Sequence, residues 1–117
     1  MSLILRTEIE RMINQTVYTV TVIDLYSDKV LGVRRTPVIY TKFRYAELSV
    51  KNNSNDLADK GTYQYAVIEE SMLNVIRPCI DFLKPFQWWY KYNSATDEFV
   101  ECQVPPQLRN QCGFGIG

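Results

Sequence analysis

One stretch constrains the fold of this chain more than any other: residues 17–26, VYTVTVIDLY, are mostly β-branched or aromatic. Such side chains fit the pleated surface of a β-sheet and lose rotamer freedom in a helix. Residues 27–29 supply turn chemistry and residues 30–35 return as a second run, so the pattern predicts an antiparallel hairpin. Pro37 has no backbone N–H to donate, so we expect it to break the second strand or to place that strand at an edge.

A helix is predicted over about residues 42–52, with Thr41 as its N-cap. Three apolar residues share one face of this helix and are expected to dock on the sheet: Phe43, Ala46 and Val50. A short amphipathic helix is also predicted near the N-terminus, over residues 4–13.

Three further strands are predicted over residues 62–70, 86–92 and 98–103. Residues 62–70 are apolar on both faces, which is typical of a central strand. Residues 71–85 fit either a short helix or an extended piece. With 117 residues and no repeat or linker, residues 1–117 are expected to form a single α+β domain. It should contain about five mainly antiparallel strands, one main packed helix and a short N-terminal helix.

The 13 basic and 13 acidic residues cancel, so the chain lacks the basic excess that nonspecific binding to nucleic acid usually needs. The charge is uneven, however. Residues 29–51 contain one acid, Glu47, and six basic residues: Lys29, Arg34, Arg35, Lys42, Arg44 and Lys51. Aromatic residues lie among them, and this mixture suits single-stranded nucleic acid. A nucleic-acid-associated role for residues 29–51 is therefore an alternative, although we expect weak binding or none.

Histidine is absent from the sequence. This removes the commonest general base near neutral pH, the Ser-His and Cys-His nucleophile pairs, and the His-containing zinc sites. The remaining residues show no metal-binding spacing and no phosphate-binding glycine loop. We therefore expect no metal and no cofactor, and the sequence predicts no catalytic residue.

The three cysteines, Cys79, Cys102 and Cys112, match neither a CxxC pair nor a zinc signature. This odd number predicts three free thiols in a reducing compartment. No apolar run approaches the 18 residues of a membrane span, and the N-terminus shows no secretory apolar region. The expectation is a cytoplasmic protein that does not bind membranes.

Candidate binding residues come from two parts of the chain. Arg34 and Arg35 point to opposite faces of a regular strand, so one of them can contact an anion or a phosphate. Trp88 and Trp89 also split across the sheet, and an exposed tryptophan beside Tyr90 is a candidate contact anchor. The residues predicted to bind a partner are Arg34, Arg35, Arg44, Trp89, Tyr90 and Lys91.

Several short motifs occur in a fixed order: GVRRT at 32–36, YAVIEE at 65–70, WYKYN at 89–93 and FGIG at 114–117. In this order the chain, from about residue 16 onwards, resembles a family of small uncharacterised bacterial proteins. The resemblance includes no catalytic motif and implies no assigned activity, so no site residue is carried over from it.

These observations predict a noncatalytic binding or accessory protein whose partner is an unknown protein or small ligand. A small enzyme that works through Arg, Tyr and carboxylate groups is a further alternative, for which a deep polar pocket would be the sign. Four aromatic residues share one face of the strand over residues 86–92: Phe86, Trp88, Tyr90 and Tyr92. Such a face is too apolar to leave in water, so a homodimer is also expected.

Overall fold

The computed structural model describes residues 16–72 and 86–114 of the chain. In this part the chain forms five strands: β1 (Thr16–Tyr26), β2 (Lys29–Tyr40), β3 (Tyr65–Met72), β4 (Gln87–Asn93) and β5 (Glu98–Cys102). They make one antiparallel sheet in the order β2-β1-β3-β4-β5, which confirms that the third strand is central. The helix α1 (Phe43–Lys51) lies on one face, and a 3₁₀ turn (Pro106–Leu108) follows β5.

The α+β class and the one main helix are confirmed by this arrangement. The helix predicted over residues 4–13 lies outside the described residues. So do residues 73–85, which make up most of the segment 71–85 that fitted either a short helix or an extended piece. Among the described residues, no helix is long and apolar enough to cross a membrane.

Strand β2 does not stop at Pro37, as one reading of the sequence predicted, but continues to Tyr40 at the edge of the described sheet. Its pairing with β1 is irregular there, because Thr21 lies opposite Arg35 whereas Thr19 lies opposite Ile39. Within this stretch Thr36 Oγ1 donates a hydrogen bond of 3.1 Å to the carbonyl oxygen of Val20. A buried hydroxyl thus supplies a donor beside a proline that has no N–H, and the strand continues past the proline.

Helix α1 packs on the face of the sheet that we call the helix face. Ala46 and Val50 are fully buried there, as predicted, in a core with Val20, Val22 and Ile68. The predicted N-cap is wrong: Lys42 is the N-cap residue, and its side chain makes no capping hydrogen bond. The helix begins at Phe43, whose ring packs against other aromatic rings, so tertiary packing rather than a local cap sets its start.

The aromatic face of β4 is mostly covered within the chain. The Trp88 ring lies 4.5 Å from the Phe43 ring, centroid to centroid. Tyr90 is 1% exposed, and Tyr92 packs against Phe99 with ring centroids 5.4 Å apart. Phe86, at 67% exposure, is the member of this face that remains open to solvent. The packing removes most of the reason for which the sequence predicted a homodimer.

The opposite face of the sheet is closed in part by the chain that follows β5. Leu108 of the 3₁₀ turn is buried with Ile23, Val67 and Trp89, and the Phe114 ring packs edge-on against Trp89. On this face the buried Glu69 carboxylate accepts hydrogen bonds from Gln87 Nε2 at 3.0 Å and from the backbone N–H of Gly113 at 2.7 Å. The carboxylate therefore fastens the C-terminal segment to β3.

The Thr36 hydrogen bond gives the first testable expectation. The substitution Thr36→Val keeps the shape of the side chain but leaves the Val20 carbonyl without this donor, which should lower the free energy of unfolding by about 1–2 kcal/mol. Urea unfolding measures the change. The matched control is Thr62→Val, at an exposed position, which should change stability by less than about 0.5 kcal/mol. Equal effects of the two substitutions would contradict the role given to Thr36.

A second expectation concerns alkaline pH. The Tyr90 hydroxyl donates to Glu47 Oε2 at 3.3 Å and so links β4 to α1. Burial, and then the charge of Glu47, raise the pKa of Tyr90 far above its usual value of 10.0. As the pH rises, the Tyr90 hydroxyl ionises in the unfolded chain before it ionises in the folded one. The contribution of Tyr90 to the free energy of unfolding is therefore fully present below about pH 10 and declines as the pH rises further.

Urea unfolding at about pH 8 and about pH 11 tests this dependence. We expect the loss of stability between the two to be smaller in Tyr90→Phe than in the wild type, because that variant has no phenol to ionise at this position. The control Tyr26→Phe, at a residue that is 72% exposed, should lose as much as the wild type. A Tyr90→Phe variant with the full alkaline loss would show that another group is responsible.

Candidate functional site

A groove runs between the edge strand β2 and the C-terminal half of α1 with the loop that follows it. Its inner part is a cavity of about 290 Å³ whose lining includes Arg34, Pro37, Tyr40, Ser54 and Leu57. Its outer part, about 540 Å³ and more open, is lined by residues that include Ile39, Tyr45 and Leu48. The two parts share Tyr40, Ser49, Ser54 and Asn55, so they are continuous. We call the whole the β2–α1 groove.

Strand register decides which side chains of β2 face this groove. Arg34 lies opposite Val22, and Tyr40 lies opposite Tyr18. Both partners belong to the helix face, where Val22 is buried in the core and Tyr18 packs against it. Because opposed residues of an antiparallel pair share a face, Arg34 and Tyr40 point to the side of the sheet that carries α1.

The loop wall of the groove is held by Asn53, which follows α1 and is buried. Its side-chain oxygen accepts a hydrogen bond of 2.9 Å from the N–H of Ala58, and its Nδ2 donates to Asp97 Oδ1 at 3.0 Å. Its backbone has a φ of 47°, a left-handed conformation that asparagine tolerates better than most residues. One side chain thus ties the loop both to itself and to the turn between β4 and β5.

The Arg34 guanidinium is a charged group of the inner cavity, and it is held in place from two sides. Its carbon lies 5.0 Å from the centroid of the Tyr63 ring, and its Nη2 donates to the carbonyl oxygen of Leu57 at 3.2 Å. A guanidinium has five N–H donors, so it can bind an anion while it keeps both contacts. Around it the cavity offers the hydroxyls of Tyr40 and Ser54 and the apolar ring of Pro37.

The structure does not bring the six predicted binding residues into one site. Arg35 also borders the inner cavity. It lies opposite Thr21, however, whereas Arg34 lies opposite Val22, and Thr21 and Val22 point to opposite faces of the sheet. The two arginine side chains therefore diverge. Arg44 is exposed on α1. The other three predicted residues belong to β4, which is separated from β2 by β1 and β3: Trp89, Tyr90 and Lys91.

The residues from β4 also differ from the expected contact anchor. Trp89 is 5% exposed and Tyr90 is 1% exposed, so both belong to the core and are not available to a partner at the surface. Lys91 is exposed, and its Nζ lies 5.9 Å from the centroid of the Tyr65 ring. Of the two predicted residues that line the inner cavity, Arg34 and Arg35, Arg34 is the one whose side chain points to the helix face.

Sequence reasoning missed the polar lining contributed by α1 and the loop after it: Ser49, Ser54 and Asn55. These residues carry no motif, and they meet Arg34 only because α1 returns the chain to the edge of the sheet. A polar loop over residues 52–56 is visible in the sequence, but its position against β2 is not.

The alternatives can now be compared with the geometry. The six basic residues of 29–51 do not converge, because Arg34 and Arg35 diverge and Lys51 pairs with Glu47 at 3.7 Å. Among the described residues that line the β2–α1 groove there is no carboxylate and no thiol; the polar groups of its lining are arginine, hydroxyl and amide side chains. Within the same described ranges, no cluster of three metal-ligating side chains occurs.

The cysteines correct one prediction. Cys102 is a free thiol, but Cys112 is disulfide-bonded, so the expectation of three free thiols is wrong. Cys79, the remaining cysteine of the sequence, lies outside the described residues. Spacing along the chain does not show which cysteines meet in space, so this disulfide was not predictable from the sequence.

Cys102 has the properties of a structural thiol. It is half-buried beside Trp89, and burial raises the pKa of its thiol, while the charge of Lys91 acts in the opposite direction to a smaller extent. A raised pKa keeps the thiol protonated near neutral pH, and the protonated form is a poor nucleophile. Cys102 therefore gives no support to the enzyme alternative.

Thiol titration under denaturing conditions tests this arrangement. The sequence has three cysteines, and a disulfide uses two of them, so we expect one thiol before reduction and three after it. The variant Cys102→Ser should show no thiol before reduction. Three thiols in the unreduced wild-type chain would contradict the disulfide at Cys112.

Comparisons of the chain with protein-family models, with curated proteins and with solved structures find no match. The resemblance to a family of small bacterial proteins therefore stays a prediction.

Proposed function

We propose that this chain is a noncatalytic binding protein that holds an anionic ligand in the β2–α1 groove, with the ligand's carboxylate at Arg34 and its apolar portion toward Val38 and Leu48. The observation that supports this most directly is the guanidinium itself, stacked on Tyr63 and hydrogen-bonded to the Leu57 carbonyl at the wall of a cavity of about 290 Å³.

Preorganisation of the Arg34 side chain favours binding of an anion. A free arginine side chain loses considerable rotamer entropy when it binds an anion, but Arg34 is already fixed by Tyr63 and Leu57. A planar guanidinium matches a carboxylate through two parallel N–H···O bonds, which makes the contact directional. The nearby hydroxyls can accept or donate further hydrogen bonds, while Pro37 and Leu57 exclude water from one side of the cavity.

The predicted cytoplasmic location and bacterial origin stay predictions. The disulfide at Cys112 favours an oxidising compartment over the cytoplasm, because glutathione and thioredoxin keep most cytoplasmic thiols reduced. The main argument for a homodimer was an exposed aromatic face, and it no longer holds, since Trp88 and Tyr90 are covered within the chain. The proposed binding role requires neither a particular compartment nor a second copy, because one chain builds the groove.

Phenylacetate is a suitable probe because it joins a carboxylate to an apolar ring. We expect titration of the ¹⁵N-labelled protein with phenylacetate to shift the amide signals of groove residues such as Tyr40, Ser49 and Asn55. The variant Arg34→Gln should weaken the binding about five- to tenfold, the effect of losing one charge-assisted contact at a partly exposed site.

The control for this titration is Lys91→Gln, which removes an exposed positive charge far from the groove. It should bind phenylacetate as the wild type does. Shifts that cluster around β4 and β5, or an Arg34→Gln variant that binds as well as the wild type, would contradict the proposal.

A further inference from the structure

We infer that the natural occupant of the β2–α1 groove is an extended segment of a partner protein, with apolar residues in its middle and acidic residues toward both ends. This inference rests on the proposed function, since it uses the same groove and the same Arg34 contact. It goes further by naming the class of ligand and the order of its side chains.

The length of the groove favours a peptide over a small molecule. Its lining extends from Arg34 of β2 in the inner part to Thr41, the residue after the end of β2, in the outer part. Seven residue steps of strand cover roughly 23 Å, somewhat less where the strand is irregular around Pro37. An extended segment of about seven residues spans such a distance, whereas a small metabolite fills only one part of it.

The middle of the groove is apolar and open. Three large apolar side chains along it are between 44% and 55% exposed: Val38, Tyr45 and Leu48. Single exposed apolar residues are ordinary, but three along one groove form a patch of the kind that marks interaction sites. Apolar side chains of a partner gain free energy when they leave water against these residues.

Basic residues flank this patch. Arg34 lines the inner cavity, while Lys42 and Arg44 do not line the groove but are exposed and adjoin in sequence Thr41 and Tyr45, which line its outer part. The one acid of residues 29–51, Glu47, accepts from Tyr90 and pairs with Lys51, so its charge is partly offset. Acidic residues at both ends of a bound segment therefore complement the groove, and complementary charge also raises the rate of association.

A nucleic acid fits this surface less well. Its phosphates need basic side chains along the whole path, but the middle of the groove is lined by Val38, Tyr45 and Leu48. Arg35, the basic residue nearest to Arg34 in sequence, points to the other face. An oligonucleotide is therefore kept as a competing outcome of the experiment.

The test uses three fluorescent peptide pools of about nine residues, each acetylated and amidated at its ends. In the first pool acidic residues stand at both ends of a random apolar middle. In the second the same positions carry Asn and Gln, and in the third the acidic residues stand in the middle. Binding is followed by fluorescence anisotropy at physiological salt, with an oligothymidylate of similar length as the competing class.

We expect the first pool to bind about tenfold or more tightly than either of the others. Arg34→Gln should remove most of the difference in affinity between the first pool, with acidic ends, and the second pool, with Asn and Gln at the same positions. Lys91→Gln should leave this difference unchanged. Leu48→Glu, at an exposed position where the fold tolerates a charge, should weaken the binding of the first pool about tenfold. Circular dichroism confirms that each variant remains folded.

The outcomes separate this inference from the proposed function. If phenylacetate binds at Arg34 but the three pools bind equally or not at all, the peptide inference is overturned and the proposed function stands. If phenylacetate also fails, both are overturned. If an oligothymidylate binds more tightly than the first pool and loses affinity to the same extent in Arg34→Gln, the peptide inference is overturned in favour of a nucleic acid.

Discussion

Phe43 stands at the first turn of α1, and its ring packs 4.5 Å from Trp88 and 5.8 Å from Tyr18, measured between centroids. These contacts, with the burial of Ala46 and Val50, hold the helix on the sheet at one fixed position. The groove depends on that position, because its two walls are β2 and the helix with its following loop. A shift of α1 by one turn, about 5.4 Å, would carry Ser49 and the loop away from Arg34.

The sheet has a different task on each face. On the helix face, large aromatic rings fill the space under α1 and leave a groove at the edge. On the opposite face, Leu108 and Phe114 cover Trp89, and Glu69 holds the backbone of Gly113. Successive side chains of β4 point to opposite faces of the sheet, so Trp88 and Trp89 lie on opposite sides, and this produces the division. One strand thus supplies a large aromatic residue to each of the two cores.

Much of the fold could be predicted because it follows from local patterns. The β-branched run in β1, the apolar face of α1 and the two-sided apolar pattern of β3 each have one good structural solution. The path of β2 could not be predicted in the same way. Pro37 disfavours a continuing strand, but at the sheet edge, and with Thr36 donating to the Val20 carbonyl, the strand passes it.

The candidate site was less predictable than the fold. Arg34 stood out as a charge, but its partners Tyr63 and Leu57 lie more than 20 positions further along the sequence, and no spacing rule connects them. Trp89 stood out as a contact residue because of its size, yet the segment that covers it comes from the C-terminal part of the chain. Chemistry that depends on long-range contacts is not visible in a single sequence.

The irregular pairing around Pro37 also bears on how the chain behaves at high concentration. An exposed edge strand with apolar side chains is normally a template on which further strands assemble into fibrils. β2 departs from regular register both near Pro37 and between Asp24 and Leu25 of its partner, and the proline cannot donate to an incoming strand. The edge can therefore present Val38 to a ligand through its side chain, while its backbone is a poor seed for aggregation.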